Sequence, residues 1–180
     1  MYRPTYAVSA VGGRNRRLAA QTLTELCLGL CRVNLLWLLA YPNTPRLRDS
    51  KIVYKDDSRV VCSRDGQCHF VEDEWADVRR VHDLGYGDCE DLACIVVAEE
   101  WLEGRKAWPL PRCYGCDPTL FCPNCKGPLR HRTSGDLWHI QVLTETGRII
   151  DPSRDRGMRP HPDGDDRVVS PFDQAGIILL

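Results

Sequence analysis

The run from Asn15 to Ala40 restricts the fold most. It is rich in Leu and Ala, and Leu23, Leu26, Cys27, Leu30, Cys31 and Leu38 recur in it at helical spacing. A helix of that length needs an apolar surface of similar extent to lie on, and a chain of 180 residues supplies one sizeable core. The spacing therefore predicts one globular domain organised around one long helix that stops before "YPNTP". The most apolar part, Leu26 to Tyr41, reads as too short to cross a bilayer and carries Arg32 and Asn34, so a buried helix without a membrane partner is expected. Cys27 and Cys31, four apart on one face, read as small core residues.

A net charge of −1, with charged residues at 27%, gives no bulk electrostatic reason to expect a nucleic-acid or membrane partner. The opening "MYRPTYAVSAVGGRNRRLAAQ" lacks the basic start, apolar run and cleavage site of a secretory signal, so a reducing cytoplasm is the expected location. There the ten cysteines are expected as metal ligands, core fillers or a nucleophile rather than as a disulfide scaffold.

From Lys51 to Phe70 the pattern becomes strand-like. "KIVY" and "RVVC" read as strands, and Asp65-Gly66 reads as a hairpin turn flanked by Cys62 and Cys68, where a disulfide is disfavoured in a reducing compartment. "DEWADVRRVHDLGYG" reads as a short amphipathic helix with Trp75, Val78, Val81 and Leu84 on its buried side, broken by Gly85 and Gly87. Another helix starts at once. Asp88 caps it, Cys89, Glu90 and Asp91 fill its first turn, and Leu92, Cys94, Val96, Val97 and Trp101 carry it to about Glu103.

A cysteine among three carboxylates at a helix start is unusual. Acids there cap the helix and complement its dipole, but they oppose a thiolate, so an active Cys89 needs a cation against its sulfur. Histidine is the usual supplier. Of five histidines, only His139 lies in a strand-like run, "LWHIQVLTETGRIIDPS". A three-residue loop Glu145-Thr146-Gly147 would pair Thr144 with Arg148 and Gln141 with Asp151, bringing His139, Gln141 and Asp151 to one face. A two-residue loop would turn Asp151 to the other face.

"GYGDCEDLA", "WHIQV" and "GRIIDPS" resemble the three motif blocks of the transglutaminase-like superfamily, papain-related enzymes in which a nucleophile helix packs on an antiparallel sheet bearing His and Asp. "KIVYKDD", "EWADVRRV" and "DPSRDRGM" extend the resemblance to small transglutaminase-like proteins of tailed phages and prophages, over about residues 15 to 158. The resemblance implies an α+β fold, with Cys89 as nucleophile, His139 as general base and then acid, and Asp151 orienting the imidazole. It implies acyl transfer at an amide. Hydrolysis of a peptide, isopeptide or side-chain amide is foremost, transfer to an amine is second, and a catalytically silent virion-assembly or binding module is third. The Cys89 N–H is the expected oxyanion donor, with Trp75, Tyr86 or Gln141 as candidates for a second. A protein or peptide is the expected substrate, and virion or host proteins are the expected partners.

Between the nucleophile helix and the His139 strand lies "CYGCDPTLFCPNCKG", an insertion over residues 112–128 with two Cys-x-x-Cys pairs. Cys113, Cys116, Cys122 and Cys125 can close one tetrahedral structural zinc site of the knuckle type, with disulfides or an iron site as alternatives. The domain is expected to end near residue 158. The tail over 159–180, rich in Pro, Gly and Asp, is expected to be extended and only partly ordered.

Overall fold

A computed structural model describes residues 16–56, 59–62, 68–71, 75–116 and 136–158. Helix α1, Arg16–Ala40, realises the long periodic run. Its buried face is Ala20, Thr24, Cys27, Cys31, Asn34 and Leu38, which packs on α3. By length and composition Ala20–Ala40 is able to cross a bilayer, which corrects the expectation that the run is too short; here one side of it lies on protein. A 3-10 turn at Leu47–Asp49 leads to the short strand β1, Val53–Tyr54, and then to the hairpin β2, Arg59–Cys62, and β3, Cys68–Val71. Cys62 and Cys68 are register partners in it, and β3 carries His69, which corrects the expectation that His139 is the one histidine in a strand.

Helix α2, Val78–Leu84, is shorter than the sequence pattern suggested, because Asp77 caps it by accepting from Arg80 N, which leaves Trp75 outside. Asn34 of α1 accepts from Val78 N at 2.8 Å, so a buried polar side chain satisfies an orphan donor of the next helix. Gly85 ends α2 in the left-handed region at φ 75°, where glycine carries no Cβ penalty. Strand β4, Tyr86–Gly87, then runs parallel to β1, with Tyr54 opposite Gly87. Gly87 is needed for a different reason. A Cβ there would lie 3.1 Å from Asp91 Cβ and 3.3 Å from Val81 Cγ2, so Gly87→Ala should lower stability by roughly 1–3 kcal/mol. Gly85→Ala meets no atom within 4 Å and should cost only the strain of its positive φ, about 1 kcal/mol. Thermal unfolding of the two variants checks the order.

Helix α3, Cys89–Leu102, buries Leu92, Ala93, Cys94, Ile95, Val97 and Ala98, which makes it the centre of the molecule. One side joins Leu38, Leu47, Val78 and Val81; the other joins Cys27, Cys31, Ala107, Ile140 and Val142. The second group sits on an antiparallel sheet of order β5-β6-β7, formed by Ala107–Cys116, Asp136–Thr144 and Ile149–Ile150. The fold is thus α+β, with a helix lying on a small antiparallel sheet.

Strand β5 escaped the sequence reading because "AWPLPRCYGC" contains two prolines. Pro109 and Pro111 sit at alternate positions opposite Val142 and Ile140, so both prolyl nitrogens face away from β6 and no ladder bond is lost. This phase leaves the bonded pairs at Leu110–Gln141 and Arg112–His139 and turns the Ile140 N–H toward the β7 side. Strand β7 is only two residues long, with Ile150 opposite Val142, so the Ile140 position has no strand partner there.

After β7 the chain turns into the single-turn helix α4, Pro152–Asp155. The Arg156 guanidinium anchors it by donating to the carbonyls of Ser50 at 2.9 Å, Ile52 at 3.3 Å and Leu47, while Tyr54 N donates to Arg156 O at 2.9 Å. Cys122, Cys125 and the tail lie outside the described residues. Of the four cysteines expected to bind zinc, the main chain of Cys113 and Cys116 closes β5, with a register shift between them.

Candidate active site

Each of the three acids around Cys89 has its own structural task. Asp88 caps α3 by accepting from Asp91 N at 3.4 Å. Asp91 Oδ1 accepts from Ala76 N at 2.7 Å, holding the segment that enters α2. Glu90, 5% exposed, accepts from the Cys89 thiol at 3.2 Å. Asp88 and Asp91 are therefore explained without reference to reactivity, whereas Glu90 faces the thiol.

Cys89 itself is partly exposed, and its sulfur meets the Ile140 N–H, next to His139 along β6. Burial pushes the thiol well above its ordinary range; the charges of Glu90 and Asp88 push the same way, and the Ile140 amide offsets them only in part. The helix start alone therefore does not favour a thiolate, and the sulfur donates to Glu90. Tyr54, placed by register beside Gly87, is likewise kept a neutral phenol by its burial and by the charges of Asp56, Asp88 and Glu90.

On the sheet, the turn closes as the three-residue reading requires. Thr144 N donates to Arg148 O at 2.9 Å, and Leu143 pairs with Ile149. His139, 3% exposed, then places Nε2 3.0 Å from Asp151 Oδ2. Gln141 Nε2 donates to the same oxygen at 2.8 Å, and Arg154 Nε lies 3.3 Å from it. Asp151 Oδ1 accepts from Arg154 N at 3.2 Å as the cap of α4. Burial would raise the Asp151 pKa, but the hydrogen bonds from His139 and Gln141, the attraction of His139 and the Arg154 N–H outweigh it and hold the carboxyl at about 2.

The structure thus brings His139 and Asp151 into direct contact and sets the Cys89 sulfur against the neighbouring amide of the same strand. Gln141 is committed to Asp151 and acts as a support for the carboxylate, not as an oxyanion donor. Trp75 packs in the apolar cluster beside Cys89, and the Tyr86 ring lies under Lys55 Nζ at 4.1 Å. Glu90, Tyr54 and Arg154 were missed as site residues. Glu90 and Arg154 adjoin capping positions and read as helix-start residues; only the β1–β4 pairing, between strands of two residues each, brings Tyr54 to the site. The larger surface cleft, lined by Glu99, Glu100, Glu103, Arg105 and Arg148, lies toward the other end of α3, and none of Cys89, His139 and Asp151 lines it.

In chemical terms the arrangement is a carboxylate-oriented imidazole on the strand whose Ile140 amide meets the sulfur of a cysteine at the start of a central helix. No family model, curated protein or solved structure matches the chain.

Proposed function

We propose that this chain is a cysteine-dependent acyl-transfer enzyme of transglutaminase-like, papain-like architecture that hydrolyses a peptide, isopeptide or side-chain amide bond through Cys89, His139 and Asp151. The observation that carries the reading is the His139–Asp151 pair, held at 3.0 Å with Gln141 as a second donor, on the strand whose Ile140 amide meets the Cys89 sulfur. With Nε2 turned to Asp151, proton exchange with the thiol falls to Nδ1 of the ring. The Cys89 proton passes to His139 as the sulfur adds to the carbonyl carbon. The resulting oxyanion is met by the Cys89 N–H at the start of α3. Its collapse breaks the C–N bond, the amine leaves with the proton from His139, and water resolves the thioester. Transfer to a second amine in place of water is the same chemistry with another acceptor. An amide-directed electrophile, such as a peptide aldehyde or vinyl sulfone, should label Cys89 and lose that labelling in His139→Ala. Equal labelling with and without His139 removes the enzymatic reading.

The protonated, Glu90-bound sulfur favours the alternative of a catalytically silent binding or assembly module with protein partners, for which no electrophile would label Cys89 selectively.

The Cys113, Cys116, Cys122 and Cys125 set fits structural zinc by donor chemistry. Four thiolates satisfy a closed tetrahedral shell without an open position, so the metal would staple the β5–β6 connection and take no part in acyl transfer. Protein prepared under reducing conditions is expected to carry about one zinc per chain. Cys113→Ser with Cys122→Ser should abolish it, and unchanged metal content would refute the assignment. A reducing, cytoplasmic setting belongs to the same proposal.

A further inference from the structure

Strand β1 is held along both edges. Lys55 N donates to Gly87 O at 3.0 Å on the β4 side, and Tyr54 N donates to Arg156 O at 2.9 Å on the other. Arg156 is itself fixed by the carbonyls of Ser50 and Ile52, so the backbone around Tyr54 is tied down at both margins. Val53, 52% exposed, and Lys55 face outward. Alternation turns Tyr54 inward, where its ring packs on the cluster that includes Val81 and Leu92.

The register gives that ring a direction. Paired residues project to the same side of a sheet, and from Gly87, the partner of Tyr54, that side leads to the first turn of α3: a Cβ there would stand 3.1 Å from Asp91 Cβ. Tyr54 thus reaches past a bare glycine toward the start of the helix that carries Cys89. The titratable groups that face its phenol are Cys89, Asp56, Asp88 and Glu90. Among the described residues no hydrogen bond engages the Tyr54 hydroxyl; the thiol is met by Glu90 and by the Ile140 amide instead.

A carbonyl attacked by Cys89 would gather negative charge on its oxygen close to Asp88 and Glu90, which oppose it, and the Cys89 N–H is one donor only. A second donor has to keep its proton beside those acids. Burial and the same carboxylates hold Tyr54 in the neutral, donating form. Gln141 is committed to Asp151, and the Tyr86 ring lies on the outer side with Lys55.

We propose that the Tyr54 hydroxyl is the second oxyanion donor of this site, a catalytic residue that meets the substrate's carbonyl oxygen together with the Cys89 N–H; the assignment rests on the acyl-transfer reading of Cys89 and His139. As the sulfur adds to carbon, the π pair of the carbonyl moves to oxygen, and Tyr54 donates a hydrogen bond to it without releasing its proton. On collapse that pair re-forms the C=O bond, the C–N bond breaks, and the amine takes its proton from His139.

Two probes of the reduced full chain test this. Iodoacetamide alkylates sulfur by displacement and builds no oxyanion, whereas an N-acetylated peptide aldehyde adds reversibly as a hemithioacetal whose oxygen occupies the oxyanion position. Aldehyde affinity is read as protection of Cys89 from iodoacetamide, resolved by peptide mass spectrometry. Tyr54→Phe keeps the ring and its packing, and circular dichroism checks its fold. It should weaken the aldehyde at least about tenfold and change the alkylation rate without aldehyde by less than about threefold. Unchanged aldehyde affinity in Tyr54→Phe overturns the proposal and leaves the Cys89–His139 reading standing. Equal falls in affinity and alkylation rate also overturn it, because they would assign the hydroxyl to the thiol. A wild-type Cys89 that about 10 mM aldehyde does not protect removes the acyl-transfer reading and this proposal with it.

Discussion

Glu90→Gln is expected to accelerate alkylation of Cys89 near neutral pH by roughly ten- to a hundredfold. In the wild type the thiol is largely desolvated though the residue is partly exposed, faces the charges of Glu90 and Asp88, and donates to Glu90 at 3.2 Å, three effects that favour the protonated form. Removing one buried charge leaves burial in place but takes away the largest electrostatic opponent of the thiolate. While the pH remains below the raised pKa of the thiol, any lowering of that pKa raises the thiolate fraction in proportion. Adding His139→Ala to Glu90→Gln should slow the reaction again, since the imidazole then no longer receives the proton. Rates of iodoacetamide incorporation at Cys89, resolved by peptide mass spectrometry, measure both steps. A Glu90→Gln rate equal to the wild-type rate would show that burial alone sets the thiol.

The second large effect concerns Asp151. Its native carboxyl titrates at about 2, below the ordinary 3.8, so the folded state binds this proton less readily than the unfolded chain. The stabilisation is therefore complete above about pH 5 and is lost as pH falls through 3.8 toward 2. Its size is roughly 2 kcal/mol, from the linkage relation and with the Asp151 side chain only 13% exposed. Asp151→Ala should cost more at neutral pH, roughly 3–4 kcal/mol, because it strands buried donors on His139 and Gln141 and removes the cap of α4. Urea unfolding at pH 7 and pH 3 tests both statements. Wild-type protein should lose stability between these values, and Asp151→Ala should lose about 1 kcal/mol less over the same interval, since at pH 3 the native carboxyl is still largely ionised. Equal losses would show that other carboxylates control the acid transition.

The parts of this architecture that were legible in sequence are those governed by local chemistry. Asp88 as cap, Gly85 as helix stop and the Glu145-Thr146-Gly147 turn each follow from one or two residues, and the turn alone sets the register that joins His139 to Asp151. What was not legible depends on contacts remote in sequence. Strand β5 was hidden because its prolines read as breakers until β6 defines which edge they face. The protonation of Cys89 was hidden because the acids could be counted in sequence but the depth of burial could not, and burial is the larger cause. Gln141 was placed on the correct face yet given the wrong partner, since face follows from alternation whereas partner follows from side-chain reach. Tyr54 lies more than thirty residues before Cys89 and meets it through a parallel pairing of two residues per strand, too short to leave a pattern.

The two prolines of β5 also bear on how copies of this molecule can meet. An outer strand normally offers a row of N–H and C=O groups on which another chain can template, the first step of edge-to-edge aggregation and of fibril growth. Pro109 and Pro111 remove two consecutive outward donors from that row, so an incoming strand would find acceptors without the alternating donors it needs. At the opposite margin, β7 is two residues long and is cut off by Pro152, which presents too little edge to nucleate a ladder. Among the described residues, the β5-β6-β7 sheet therefore offers little edge at either margin on which another strand could grow.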